Sequence, residues 1–414
     1  MFVPYGLRSD ETVQSVASKS KGMFILLVAV TAFPGFLMGL DAMLFITAAP
    51  HIIRNASSSA EFLGFLAAGY SVGIALFSLL GGFLFSRFSA KYTFLLSVGI
   101  FSIFTLISGI ATNETILLIS RLLVGVGIGM FLPTIVAFLG DIFVERRSRS
   151  TSVYIAVYSL GLFVGPYIIY YFLPNIHVPF ILSMIVSVIS MILFYLIVPK
   201  TYKVIETQPV FKGVSQLFNR NTIILSICML CYGIAFYGLV AYKAEYLYNL
   251  LTNDRNIAII LSVSGISGIV VSYPLGMIGD RFGRRLVVRL VGFSVAVGCV
   301  GFFSLGYAPT LIGLSLFSFL TGVGSGYPGF VATYIHDMVD EHLVGVATGW
   351  IYFICNTGGI IGGPLFALFL PLGYIKSGLI AVGLTSIMSF VLTMLIVSPE
   401  KANEKNLVLD SSGT

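Results

Sequence analysis

Residues 276–285 read Gly-Met-Ile-Gly-Asp-Arg-Phe-Gly-Arg-Arg, and residues 82–91 read Gly-Phe-Leu-Phe-Ser-Arg-Phe-Ser-Ala-Lys, a degenerate copy 194 positions earlier. Three further pairs keep the same order at nearly the same distance. Gly125-Val-Gly-Ile-Gly129 returns as Gly322-Val-Gly-Ser-Gly326, 197 positions on; Asp141 and Glu145 return as Asp337 and Glu341, 196 on; Gly161 and Gly165-Pro166 return as Gly359 and Gly363-Pro364, 198 on. Order and offset preserved together mark an internal duplication. The two copies meet across residues 199–220, the longest polar interruption in the chain.

Around these motifs the chain is apolar: 57% of its 414 residues are hydrophobic and 10% charged, against about 25% charged in a soluble domain. A water-soluble fold is therefore excluded. Apolar runs long enough to cross a hydrocarbon layer of ~30 Å as helices fall at 24–49, 62–85, 93–112, 115–140, 151–173, 178–198, 222–247, 256–278, 286–307, 310–335, 346–370 and 375–398. The expected fold is an all-α polytopic membrane protein with twelve transmembrane helices in two pseudo-symmetric six-helix bundles. Its domains are an N-terminal bundle with its tail (1–198), a linker (199–220) and a C-terminal bundle with its tail (221–414). Within the linker Val210, Phe211, Val214, Leu217 and Phe218 share one helical face, as in a helix lying on a membrane surface.

Lysine and arginine are retained on the cytoplasmic side of short loops. Of the 23 basic residues, Arg54, Lys243, Arg255 and Lys376 fall on one side, Arg121 falls inside a span, and the remaining 18 fall on the other side if the N-terminus is cytoplasmic. Both termini are therefore expected inside the cell, with the protein in the plasma membrane. The net charge of +6 follows from this bias and from contact with anionic lipid, so it implies no nucleic-acid partner. Cys228, Cys231, Cys299 and Cys355 all fall inside spans and are read as packing residues rather than disulfides. No Gly-Lys dipeptide exists, which excludes a P-loop, and the Gly-x-Gly-x-x-Gly at 324–329 lies in a membrane helix without a preceding strand. His51, His177, His336 and His342 are scattered over loops. No enzyme activity, cofactor or metal is expected.

Two residues resist a packing explanation. Asp41 is the only carboxylate deep inside a span, and Arg121 the only guanidinium there. Helix geometry puts them at matching depth on the first and fourth spans. Each unpaired charge costs on the order of 2.5 to 3.5 kcal/mol on insertion scales, so an ion pair or a wet cavity is the expected refuge. A pair of this kind is a coupling switch: proton uptake by Asp41 frees Arg121 for a substrate. A static pair that only fixes packing is the bland reading, and such pairs rarely repay their desolvation.

The cytoplasmic run Gly276-x-x-x-Asp280-Arg281-Phe282-Gly283-Arg284-Arg285 and the fourth-span run Arg121-x-x-x-Gly125-x-Gly127-x-Gly129, with Pro133, Asp141, Glu145 and Arg149 following, resemble signatures of the major facilitator superfamily. The resemblance covers residues 24 to 400 and is nearest in motif to sugar and organic-acid proton symporters. It implies a secondary transporter working by alternating access, with Asp280, Arg281, Gly283, Arg284, Arg285, Arg87, Asp141, Glu145 and Arg149 as its gating residues. The first-half loop departs from the family pattern at Ser86, Ser89 and Ala90, so the conformational balance is expected to rest more on the second-half loop and on Glu145, Arg146 and Arg149. The implied substrate is a sugar-like or carboxylate metabolite moving with protons through a monomer in the lipid bilayer. Phe36, Tyr154, Tyr158, Tyr232, Tyr237, Tyr327, Trp350 and Asn356 are the candidate cavity residues. Lys243 and Glu245, toward the outer end of the seventh span, read either as cavity-lining residues or as headgroup-layer residues. Gly161-x-x-x-Gly165-Pro166 resembles part of a drug-antiporter signature, so proton-driven efflux is the alternative; a sensor that binds solute without moving it is the third reading.

Overall fold

Inside a bilayer an apolar run can satisfy its own amides only as a helix or in a closed barrel. The computed structural model, which describes residues 21–87, 90–142, 147–198, 219–335, 338–339 and 344–396, builds every expected span as a helix. In chain order they are α1 (Lys21–Asn55), α2 (Phe62–Arg87), α3 (Ala90–Ile110), α4 (Glu114–Ile142), α5 (Arg147–Phe172), α6 (His177–Ile197), α7 (Arg220–Leu250), α8 (Asp254–Phe282), α9 (Arg284–Ser304), α10 (Leu311–Ile335), α11 (Val344–Phe369) and α12 (Tyr374–Met394). Eleven are long and apolar enough to cross a membrane, and α2 is apolar over Phe62–Ser78. The linker with its amphipathic pattern lies outside the described residues, as do Glu145, Arg146 and the side chains of Arg87, Asp141, Arg149 and Asp280.

Two spans are less regular than expected. Gly324–Gly326 tightens to a 3-10 turn inside α10, where three small residues, two of them glycine, weaken the helical preference. Gly378–Leu384 widens to a π-turn near the start of α12. A third difference lies in α1. It was expected to stop at 49, yet it continues through Pro50 to Asn55, because neighbouring helices can make good the hydrogen bond that a proline removes.

The packing repeats with a period of six helices. α1 packs on α5 and α6, α2 on α4, and α3 on α4 and α6; in the second half α7 packs on α11 and α12, α8 on α10, and α9 on α10 and α12. Contacts between the halves obey the same two-fold relation: α2 meets α11, α5 meets α8, and α1 meets α7. The duplicated glycine motif explains one matched pair of contacts. A Cβ at Gly125 would strike the Tyr70 carbonyl on α2, and one at Gly322 would strike Ser264 and Ser267 on α8, so these glycines let helix backbones touch.

A cation also closes the same joint in each half. Lys91, at the start of α3, donates from Nζ to the carbonyls of Tyr195 (2.6 Å) and Val198 (2.5 Å) at the end of α6. Arg289, early in α9, donates to the carbonyls of Thr393 and Met394 at the end of α12, both at 3.3 Å. These last-turn carbonyls lack intrahelical partners and carry the negative end of the helix dipole.

Candidate functional site

Between the halves lies a cavity of about 150 Å³. α1, α2, α4 and α5 supply one wall and α7, α8 and α10 the other. Its surface is mostly apolar, with hydroxyls from Tyr70, Tyr158, Tyr237, Ser264, Thr321 and Ser325. Two cations also line it, Arg121 from α4 and Lys243 from α7, and among the described residues its lining contains no carboxylate.

Arg121 is 6% exposed. Its guanidinium carbon lies 3.9 Å from the centre of the Phe45 ring on α1 and 4.7 Å from that of Tyr70 on α2, and its Nε has no hydrogen-bond partner. Two aromatic faces hold the charge in place through their quadrupoles without neutralising it. Asp41 is 2% exposed. Ser183 on α6 donates to its Oδ1, while Oδ2 has no partner. The direct ion pair expected from the sequence is therefore not made. The two charges share the interior of one half, Asp41 facing α6 and Arg121 the cavity, close enough to feel each other's field.

Lys243 is 4% exposed, and its Nζ reaches Thr321 Oγ1 at 3.4 Å and lies 5.3 Å from the centre of the Phe302 ring. Among the described residues no carboxylate stands at ion-pair distance from it or from Arg121. Of the two readings of Lys243, its position fits the cavity wall and not the headgroup layer. α7 runs on to Leu250, so Lys243 lies well inside the span, under α9 and α10.

Of the eight candidate cavity residues, Tyr158 and Tyr237 line the cavity. The other six are engaged elsewhere. Phe36 stacks on Phe33, Tyr154 stacks on Tyr158, and Trp350 Nε1 donates to Ser226 Oγ at 2.9 Å. Tyr232 donates to the Gly324 carbonyl at 2.5 Å and packs edge-on to Tyr327, whose hydroxyl lies 3.5 Å from Cys228 Sγ. Asn356 stands one step back, accepting at 2.6 Å from the cavity-lining Tyr237. The four cysteines are buried and unpaired, as expected of packing residues.

Of the expected gating residues, Gly283 has φ +92° and turns the chain sharply between α8 and α9, a conformation that other residues adopt at a cost. Arg284 Nη1 donates to the Thr333 carbonyl on α10 at 2.7 Å, a bond within the second half. Arg281 is exposed, with its guanidinium over Phe282, and Arg285 Nε has no partner.

Among the described residues, the side-chain hydrogen bonds and ion pair between the halves lie at the opposite end, on the side that the charge bias assigns to the outside. Arg54 on α1 pairs with Glu245 on α7 at 3.3 Å, and Asn249 and Tyr374 also donate to that carboxylate. His51 packs edge-on to Tyr248, and Tyr242 donates to the Glu61 carbonyl at 3.1 Å. Because the Arg54 side chain is 53% exposed, the pair contributes at most about 1 kcal/mol. Arg54→Glu is accordingly expected to speed labelling of a cavity cysteine from the outside by about fivefold, and Arg54→Glu with Glu245→Arg to restore the original rate. A double variant labelled as fast as the single one would remove this pair from the closure.

A twelve-helix bundle with two-fold related halves and a charged cavity between them is a known architecture. The family description that matches residues 31–363 and 225–410 is Major Facilitator Superfamily. The chain belongs to this superfamily. It is 28% identical over 372 residues to the hexuronate transporter of Bacillus subtilis, covering 80% of this chain and 84% of that one. It is 24% identical over 298 residues to multidrug resistance protein 2 of the same organism, covering 68% and 72%. Among solved structures, a D-xylose-proton symporter matches with a TM-score of 0.73 at 15% identity, covering 92% of this chain and 99% of that one. A nucleoside transporter matches at 0.75 and 14%, covering 90% and 100%. This major facilitator protein is thus a multi-pass secondary transporter of a small molecule and not an enzyme.

Proposed function

We propose that this transporter is a proton-coupled symporter that brings a small carboxylate-bearing metabolite of the sugar-acid kind across the plasma membrane, working as a monomer. The observation that carries the reading is Arg121: a buried guanidinium that lines the cavity, braced by Phe45 and Tyr70 and paired with no described carboxylate. A guanidinium fork matches a carboxylate with two parallel hydrogen bonds. The surrounding hydroxyls suit a polyhydroxy body, and the likeness to a hexuronate transporter agrees. Asp41 is the proton acceptor. While it is ionised its field stabilises Arg121; once it is protonated, the uncompensated guanidinium recruits the substrate anion. The halves 1–198 and 221–414 then rock about the linker 199–220 to expose the cavity on the other side.

Efflux by proton antiport is the second reading, favoured by the Gly161-x-x-x-Gly165-Pro166 run and the likeness to a multidrug resistance protein. Two cations in the wall argue against cationic drugs, and about 150 Å³ falls short of the roughly 300–1,000 Å³ of drug-sized sites. Asp41→Asn in proteoliposomes tests the proposal. Uphill uptake of glucuronate driven by an inward proton gradient is expected to vanish, while counterflow, which needs no proton, continues. Undiminished uphill uptake would remove Asp41 from coupling; a wild-type protein that ignores sugar acids but exchanges protons for a cationic drug would establish efflux instead.

A further inference from the structure

Arg121 is one of two cations in the cavity wall, and the first carboxylate accounts for only one of them. Lys243 sits in the opposite half, on α7, with 4% of its surface exposed. Its polar contact is a neutral hydroxyl, that of Thr321 at 3.4 Å. Glu245, two residues on, is engaged with Arg54, Asn249 and Tyr374 at the outer end. A compact ammonium with three donors and no described counterion, held in the wall of the cavity between the halves, is an anion site in its own right.

We propose that Lys243 is a second anion anchor and that the substrate is a small dianion: a diacid whose two carboxylates bridge Arg121 on one half and Lys243 on the other. This rests on the reading of the cavity as a carboxylate site and sharpens it. A molecule carrying one negative end leaves one of the two cations buried without compensation, whereas a diacid satisfies both. The cavity volume of about 150 Å³ suits a short diacid or a six-carbon sugar diacid. Bridging also supplies a mechanism. Since the cations belong to different halves, a diacid binds best when the halves approach, so its own binding energy favours the occluded state over either open one. A monoacid held only by Arg121 gains less from closure.

Isothermal titration of the purified full-length transporter with glucarate and glucuronate tests this, because the two share a carbon skeleton and differ by one carboxylate. Wild type is expected to bind glucarate at least about tenfold more tightly than glucuronate. Lys243→Gln is expected to lose about 30-fold or more in glucarate affinity, the loss typical when one partner of a buried charge pair is removed, and to lose less in glucuronate affinity, so that the preference for the diacid disappears. Retained glucuronate binding also reports that the variant is folded. Lys243→Arg, which keeps the charge, is expected to keep the preference for the diacid. Equal wild-type affinity for the two ligands, or equal losses for both in Lys243→Gln, would overturn the second anchor while leaving the carboxylate site standing. Failure of wild type to bind either ligand would overturn the carboxylate site and the anchor together.

Discussion

Arg121→Gln is expected to abolish measurable uptake of the proposed carboxylate substrate, with affinity falling by about 100-fold or more, and at the same time to leave the protein at least as resistant to heat as wild type. The two halves of this expectation come from one observation. Arg121 is buried and faces the cavity, with aromatic rings and no described carboxylate against its guanidinium. Such a charge destabilises the empty fold, so replacing it by a neutral amide of similar reach relieves a desolvation cost. A residue whose removal improves stability and destroys activity is retained for the activity. Glutamine keeps a donor but not the charge, and Arg121→Lys keeps the charge but not the planar fork. If two-point recognition of a carboxylate is what matters, lysine rescues little of the uptake. Uptake by Arg121→Gln within about twofold of wild type, or a marked fall in its unfolding temperature, would make Arg121 a packing residue.

How much of this was legible beforehand depends on the kind of signal. The duplication gave away the architecture because a repeated motif fixes spacing, and spacing survives folding: Gly125 and Gly322 make equivalent contacts in the two halves. Which side of a helix faces the cavity was harder to read, since membrane helices are apolar all round and carry little directional pattern. Residue type alone does not tell an inward-facing tyrosine from an engaged one: Tyr232 and Tyr327 are buried in the second half with their hydroxyls engaged within it. For Lys243 the sequence leaves cavity wall and headgroup layer both open, because the apolar run reads as ending at 247 while the helix continues to Leu250. The duplication held the deciding signal. Subtracting the repeat offset of 194 to 198 sets Lys243 against residues 45–49 of α1, the stretch that brings Phe45, Ile46 and Ala49 to the cavity. The ends of helices are the least legible element, and here one of them mattered: the expected span closes at 49, but the extra turn beyond it carries Arg54 to Glu245.

Gly64→Val is expected to hold the transporter open to the outside and stop turnover, without unfolding either half. Gly64 on α2 and Gly363 on α11 come from different halves and touch through their backbones. A Cβ on Gly64 would lie 2.5 Å from the Gly363 carbonyl oxygen and 3.0 Å from the Tyr242 hydroxyl, and a Cβ on Gly363 would lie 2.5 Å from the Gly64 carbonyl oxygen. A backbone carbonyl in a packed helix cannot step aside, so the outer ends must part. Separation also breaks the hydrogen bond from the Gly64 amide to Tyr242, 3.1 Å long. In the proposed rocking cycle the halves part during transport, so the substitution selects a state of that cycle and damages neither bundle. Gly125→Val makes the contrast. Its clash is with Tyr70 on α2 of the same half, a joint that stays closed throughout the cycle, so the expected outcome there is loss of folded protein. Labelling of Ala49→Cys in the cavity wall by a membrane-impermeant maleimide reads the first case. In the Gly64→Val background the rate from the outside is expected to rise at least about tenfold, which corresponds to a shift of about 1.4 kcal/mol toward the open state. An unchanged labelling rate in a folded, inactive variant would mean that this contact does not close the outer gate.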